Sequence, residues 1–145
     1  MLHVSDKNHM LYLGDDIGRM LGIDLSTNLV HKNFEKVGKK GCPITGIACT
    51  NTDVYACDKL GYIKQFDLQF GDLKKKWGRV IKDSEGITYC CIDPFKQYMM
   101  VAGGLTIKLI GCAASGELRD FINSEESGDI NGMVLTQNSQ IYIDS

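Results

Sequence analysis

The residues of this chain best suited to chemistry are six cysteines, Cys42, Cys49, Cys57, Cys90, Cys91 and Cys112, and three histidines, His3, His9 and His31. Thiolate and imidazole are the usual ligands of zinc, and together they form the working pair of cysteine-dependent hydrolysis. The spacing does not favour either use. Cys42, Cys49 and Cys57 are separated by six and seven residues, with no Cys-x-x-Cys and no histidine nearby, whereas metal sites are marked by short, paired spacings. Cys90 and Cys91 are adjacent, so on an extended strand they point to opposite faces and cannot share an ion. His9 is expected in a turn and His31 on an outer strand. With no nucleophile or carboxylate fixed beside them, the three histidines read as surface residues. Gly103-Gly104 has neither the lysine nor the following helix of a phosphate loop and reads as a strand turn. "LKKKWG" (Leu73–Gly78) could stack on a base, but it fits better as an outer edge strand whose lysines discourage edge pairing. No catalytic, cofactor-binding or metal-ligating residue is assigned, and no enzyme is expected.

Composition sets the class. The chain has 145 residues, of which 43% are hydrophobic and 23% charged, with a net charge of −2. These are values of a globular chain. The weak net charge argues against nucleic-acid binding through a general basic surface. No apolar run approaches the roughly 18 residues of a membrane span, so no membrane association is expected. "MLHVSDKNHM" has neither a basic nor an apolar signal region, which leads to the expectation of a cytoplasmic protein with reduced thiols.

The elements that would position these residues repeat. At an offset of 43, Asp24 falls on Asp67 and Leu25 on Leu68. Tyr12, Tyr55 and Tyr98 fall in register, as do Gly18 and Gly61, and Asp15 and Asp58. "ITGIACT" (Ile44–Thr50) matches "ITYCCID" (Ile87–Asp93) and "INGMVLT" (Ile130–Thr136), so that Cys90 shares a position with Ile47 and Met133, and Cys49 with Ile92 and Leu135. Cysteines at aliphatic strand positions are expected to serve as small core residues. In the third copy the register slips, Ile107 matching Ile63 at 44.

The clearest copy spells four short strands: "ITGIACT", "VYAC", "YIKQFDL" with Ile63 and Phe66 as anchors, and "LKKKWGRV". Polar and Gly-containing turns separate them, and Gly61 supplies the positive φ of a tight turn. Four strands per unit of this length is the pattern of a β-propeller blade. "ITGIACTNTDVYACDKLGYIKQFDL" resembles a WD-repeat unit, with Asp-x-x-Gly followed by Ile-Lys-x-aromatic-Asp. The copies depart from the family pattern. "IKQFD" has Phe66-Asp67 for Trp-Asp, "GIDL" has Ile23-Asp24, "KLIG" has lost the aspartate, and no Gly-His pair precedes any first strand. The resemblance implies an all-β propeller segment of four-stranded antiparallel blades, an incomplete ring, in which Asp15 and Asp58 cap turns by accepting backbone N–H bonds. The histidine that often completes that network in the family has no counterpart here, so fewer partners are expected.

Blades are expected at about 1–42, 43–85 and 86–128, with a partial blade at 129–145. Three blades cannot close a ring of the usual four to eight, so further blades of the same protein or of another chain are expected to complete it. The resemblance implies a non-catalytic interaction platform or scaffold that binds other proteins. The rivals are an enzyme or ligand-binding propeller of the quinoprotein type, and a structural subunit of a cytoskeletal or ciliary complex. The loops before each first strand, "EKVGKKGCP" (Glu35–Pro43), "KDSEG" (Lys82–Gly86) and "NSEESGD" (Asn123–Asp129), run from basic to acidic along one rim. Lys39, Lys40, Glu125 and Glu126 are therefore the expected partner contacts.

Overall fold

In the computed structural model, the described residues are 1–5, 9–34, 37–38, 41–82, 86–93, 95, 97–112, 118–123, 132–135 and 141–144. They form fourteen β-strands and no helix. The first sheet holds β1 (Leu2–Ser5), β2 (Met10–Gly14), β3 (Met20–Asp24) and β4 (Leu29–Phe34). The second holds β5 (Ile44–Cys49), β6 (Asp53–Asp58), β7 (Tyr62–Asp67) and β8 (Leu73–Arg79). The third holds β9 (Tyr89–Ile92), β10 (Tyr98–Gly103), β11 (Thr106–Gly111) and β12 (Leu118–Asn123), and a two-stranded sheet holds β13 (Gly132–Leu135) and β14 (Ile141–Asp144). In each sheet the strands lie in sequence order, joined by antiparallel hairpins. The all-β architecture of four-stranded units is the one the repeat implies.

The reason for the fold lies in the second strand of each sheet. Side chains alternate along a strand between the two faces. In β6, Val54 and Ala56 belong to one buried cluster with Met10, Tyr12, Met20 and Phe34 of the first sheet. Tyr55 and Cys57 belong to another, with Cys90, Met99, Val101 and Ile110 of the third. The whole strand is buried, Asp53 to Asp58. β10 repeats the arrangement: Met99 and Val101 face the second sheet, while Met100 and Ala102 join Ile107 and Met133 in a third cluster. Sheets therefore stack face to face, and the core is a series of layers between them. The anchors of β7 divide in the same way, Ile63 into one layer and Phe66 into the other.

Cys49, Cys57 and Cys90 are packed in these layers. Cys90 and Cys91 lie in different layers, on opposite faces of β9. β8 is the edge strand that its lysines lead one to expect. Within it Trp77 is half-buried against the layer of Tyr55 and Ile81, and the Lys75 ammonium sits 3.7 Å from its ring centroid. Trp is too large and apolar to remain exposed beside an open layer edge, and the cation covers its remaining face. The surface reading of His3 is corrected: it lies half-buried on β1.

The first sheet has one face covered and one open. Across its strands, Leu2 pairs with Leu13 and Leu13 with Leu21, while Val4, Leu11, Ile23 and Val30 form a second row. Directly paired residues share a face, so this face carries two aliphatic ladders. Leu2, Val4 and Val30 are exposed. Their register equivalents in the second sheet, Ile47 for Val4 and Phe66 for Ile23, are buried by the neighbouring sheet. Each uncovered Leu, Ile or Val forgoes about 1.5–3 kcal/mol of burial.

Two predictions follow from this packing. The Val4→Lys/Ile23→Lys double variant should reduce self-association and hydrophobic-dye binding of the 145-residue chain with no loss of β-sheet signal, as read by sedimentation and circular dichroism. Gly61 has φ +90°, and a Cβ there would lie 2.0 Å from the Ile81 carbonyl oxygen, whereas Gly78, with φ +70°, has open space. Gly78→Ala should therefore cost about 1 kcal/mol and Gly61→Ala clearly more in urea unfolding, the excess coming from the displaced backbone.

Candidate functional site

The turns gather on two rims. On one rim, the turn between the second and third strand of a sheet meets the connector leading to the next sheet. Gly38 N–H donates to the Gly18 carbonyl at 2.8 Å, Ile44 N–H to Asp15 at 3.0 Å and Val80 N–H to Gly61 at 2.7 Å. Asp15 and Asp58 stand at the heads of two of these turns. Asp15 Oδ1 accepts the N–H groups of Ile17 at 3.1 Å and Arg19 at 2.7 Å, and Asp58 Oδ1 accepts those of Leu60 at 3.0 Å and Tyr62 at 2.9 Å. In the first unit a side-chain donor is also present. Arg19 Nε lies 2.6 Å from Asp15 Oδ2. Desolvation pushes the Asp15 carboxyl up, but the backbone N–H and guanidinium of Arg19, with the N–H of Ile17, outweigh it and hold the group below the usual carboxylate range. The Asp–Arg spacing of four residues is visible in the sequence, with arginine standing where the family's usual partner is a histidine. Lys39, Lys40, Glu125 and Glu126 lie outside the described residues.

The opposite rim is built from the other two turns of each sheet, and it too is capped at the repeat spacing. Thr50 Oγ1 accepts the N–H groups of Thr52 at 3.2 Å and Asp53 at 3.0 Å. Its register equivalent Asp93 accepts those of Phe95, Gln97 and Tyr98. Asp24 Oδ1 accepts the Ser26 N–H at 2.8 Å and the Ser26 hydroxyl at 2.5 Å. Asp67 Oδ1 accepts the N–H groups of Gln69 and Phe70, each at 2.8 Å. The matching aspartates of "GIDL" and "IKQFDL" thus perform the same local task, closing the turn before the fourth strand.

Between the first and second sheets this rim opens into a groove of about 420 Å³. Met10 and Leu68 supply its apolar lining, and Asp24, His31, Asn51, Thr52, Asp67 and Gln69 its polar lining. Lys32 Nζ reaches across from the first sheet to donate to the Gln69 carbonyl. Lys74 Nζ stands between two carboxylates, 2.6 Å from Asp53 Oδ1 and 3.2 Å from Asp67 Oδ2. Burial pushes the Asp53 carboxyl up, but hydrogen bonds from Lys74 and Thr52 prevail and lower it. The Phe70 N–H and the Lys74 ammonium lower Asp67, and the Ser26 hydroxyl and N–H lower Asp24. Asp24 and Asp67 are therefore ionised at neutral pH. Exposed Leu25 and Phe70 flank the groove in sequence on either side. Among the described residues, no three His, Cys, Asp or Glu side chains converge to hold a metal ion, and no helix is long and apolar enough to cross a membrane. The groove can engage a ligand by ion pairing, hydrogen bonding and apolar contact. It was not foreseen from the sequence, although its two carboxylates carry the offset of 43.

The Lys74 network has a pH signature. Asp53 and Asp67 are held below their unfolded values, so their stabilising effect is full above about pH 4 and is lost as pH falls through the lowered values. In Lys74→Met that support is absent. The variant should unfold at lower urea than the native chain at pH 7, and its deficit should shrink as urea melts are taken from pH 4 towards pH 2.

No protein-family model matches the chain, and no curated protein does. Solved structures do. The chain is similar to the WD40 β-propeller domain of Doa1, with TM-score 0.76 and 16% identity, over 97% of this chain and 45% of that one. It is also similar to a chain of the mitotic checkpoint complex, with TM-score 0.73 and 10% identity, over 92% of this chain and 39% of that one. At such identities the likeness shows the fold: the sheets are blades of a WD40-type propeller. The chain spans less than half the length of either solved chain.

Proposed function

We propose that this chain is part of a WD-repeat interaction platform: a non-catalytic, cytoplasmic scaffold that binds other proteins. Its blades are taken as about 1–42, 43–85 and 86–128, with a partial blade at 129–145. The observation that carries this reading is the pairing of capped rims with a packed interior. Side chains at repeat-related positions cap the turns on both rims, while the residues around those caps differ from blade to blade. Such an arrangement holds varied surface chemistry in fixed positions, which suits recognition by positioning. Propellers of this architecture host many functions, and the assignment to binding rests on analogy as well as on the rims.

Further blades, supplied by the same protein or by another chain, are the first partners this reading requires, because Leu2, Val4 and Val30 on the aliphatic ladders of the first blade are exposed among the described residues. On the rims, two regions are proposed as contacts. One is the groove lined by Asp24, Asp67 and Thr52. The other is the charged stretch carrying Lys39 and Lys40 at one end and Glu125 and Glu126 at the other.

The test is quantitative affinity purification of the native protein from its own cells, compared with a Lys39→Glu/Lys40→Glu form and an Asp24→Asn/Asp67→Asn form. At least one partner present in stoichiometric amount should fall about tenfold or more in one of the two variants, with blade packing unchanged by circular dichroism. Retention of every partner by both variants would remove these rims from recognition. A native protein that carries a tightly bound chromophore and turns over a substrate would replace the scaffold reading by the enzymatic one.

A further inference from the structure

Cys57 and Cys90 come from different blades and meet at one point. Cys57 lies on β6 and Cys90 on β9, and both belong to the buried layer between the second and third blades. The contact exists because the residue across from Cys57 in the sheet, Gly46, has no side chain. A Cβ built on Gly46 would stand 2.6 Å from Cys90 Sγ and 3.3 Å from the Cβ atoms of both cysteines. The Cys90 thiol thus occupies the space that a larger residue at position 46 would fill. The Cys90 side chain is the leading influence on the Cys57 thiol. Both Cβ atoms lie 3.3 Å from one shared point between the blades, so the two thiols are neighbours, and closing the bond requires the Cβ separation of about 3.5–4.5 Å that a disulfide takes.

We infer that Cys57 and Cys90 are a site of reversible oxidation, closing to a disulfide that staples the second blade to the third. The pairing is specific. Cys91 faces the opposite side of β9, Cys49 lies in the layer beneath the first blade, and Cys112 is placed beside the Tyr55 hydroxyl. The neighbouring Cys90 thiol and burial both raise the Cys57 thiol well above its ordinary pKa. Cys57 therefore stays protonated at neutral pH and serves as the resolving thiol.

The chemistry balances with a peroxide as oxidant. Cys90 is 7% exposed and Cys57 0%, so Cys90 meets the peroxide first. Its thiolate sulfur attacks one peroxide oxygen, the O–O bond breaks, and the departing hydroxide leaves as water after taking a proton. The sulfenic acid on Cys90 is then attacked by the Cys57 sulfur. The S–S bond forms, the S–O bond breaks, and a second water leaves with the Cys57 proton. Two thiols and one hydrogen peroxide give one disulfide and two waters. Thiol–disulfide exchange restores the reduced pair.

The experiment treats the full chain with a modest excess of hydrogen peroxide, alkylates it in denaturant and maps tryptic peptides without reduction. The expected result is a linked peptide pair, residues 41–59 with 83–96, whose fragment spectra place the bond at Cys57 and Cys90. Free thiols should fall from six to four, and Tm should rise by about 5–10 °C and return on reduction. The link should persist in Cys91→Ala and vanish in Cys57→Ala and in Cys90→Ala. Peroxide-treated native chain that keeps all six thiols, or that spreads its bonds over other pairs, overturns the proposal. That peptide map decides the matter even if an alanine variant fails to fold.

Discussion

Everything in this molecule depends on strands that are apolar on both sides. A β-strand in a two-layer protein buries one face and wets the other. β6 buries both, handing Val54 and Ala56 to one neighbour and Tyr55 and Cys57 to the other. A blade built on such a strand has no stable existence alone, because either bare face exposes a sheet of hydrocarbon. The stacking of blades is therefore a consequence of strand alternation, and so is the exposed aliphatic face of the first blade. The same rule links fold to function. A stack of mutually dependent sheets is stiff along its length, and its turns emerge at fixed positions on two rims.

The rims show how that stiffness reaches the surface. Each turn must satisfy N–H groups that the ladder leaves over, and a short acceptor side chain is the simplest local supply. Asp15, Asp58, Asp24, Asp67, Thr50 and Asp93 all act this way. Because these acceptors point inward to backbone donors, the neighbouring positions are left free to vary. The groove between the first two blades illustrates the outcome. Two carboxylates with identical local jobs stand on adjacent blades and line one cavity, and Lys74 draws a third carboxylate, Asp53, into the same network.

Much of this was legible in the residues themselves. The offset of 43, the four strands of the second blade and the core role of Cys49 and Cys90 follow from periodicity, because burial on both faces leaves continuous apolar runs such as "DVYAC". Other features depend on how far one blade is rotated against the next, which no spacing encodes. The groove is one, since Asp24 and Asp67 are 43 residues apart and meet only through packing. The packing of Trp77 is another: its strand is the outer edge, yet the ring turns onto the layer of Tyr55 and Ile81. Arg19 on Asp15 was overlooked for a different reason, the family's usual donor being a histidine. Lys39, Lys40, Glu125 and Glu126 rest on the charge of the loops that precede the first strands, and they lie outside the described residues.

The missing side chain at Gly46 has a consequence for how this sequence can change over time. Position 46 on one blade and position 90 on the next share a single volume, so neither is free to drift by itself. A methyl group gained at 46 demands atoms lost at 90, and a bulkier residue at 90 demands that 46 stay glycine. Substitutions there should arrive as matched pairs, which makes the seam between the second and third blades a place where evolutionary history is written jointly by two distant stretches of chain.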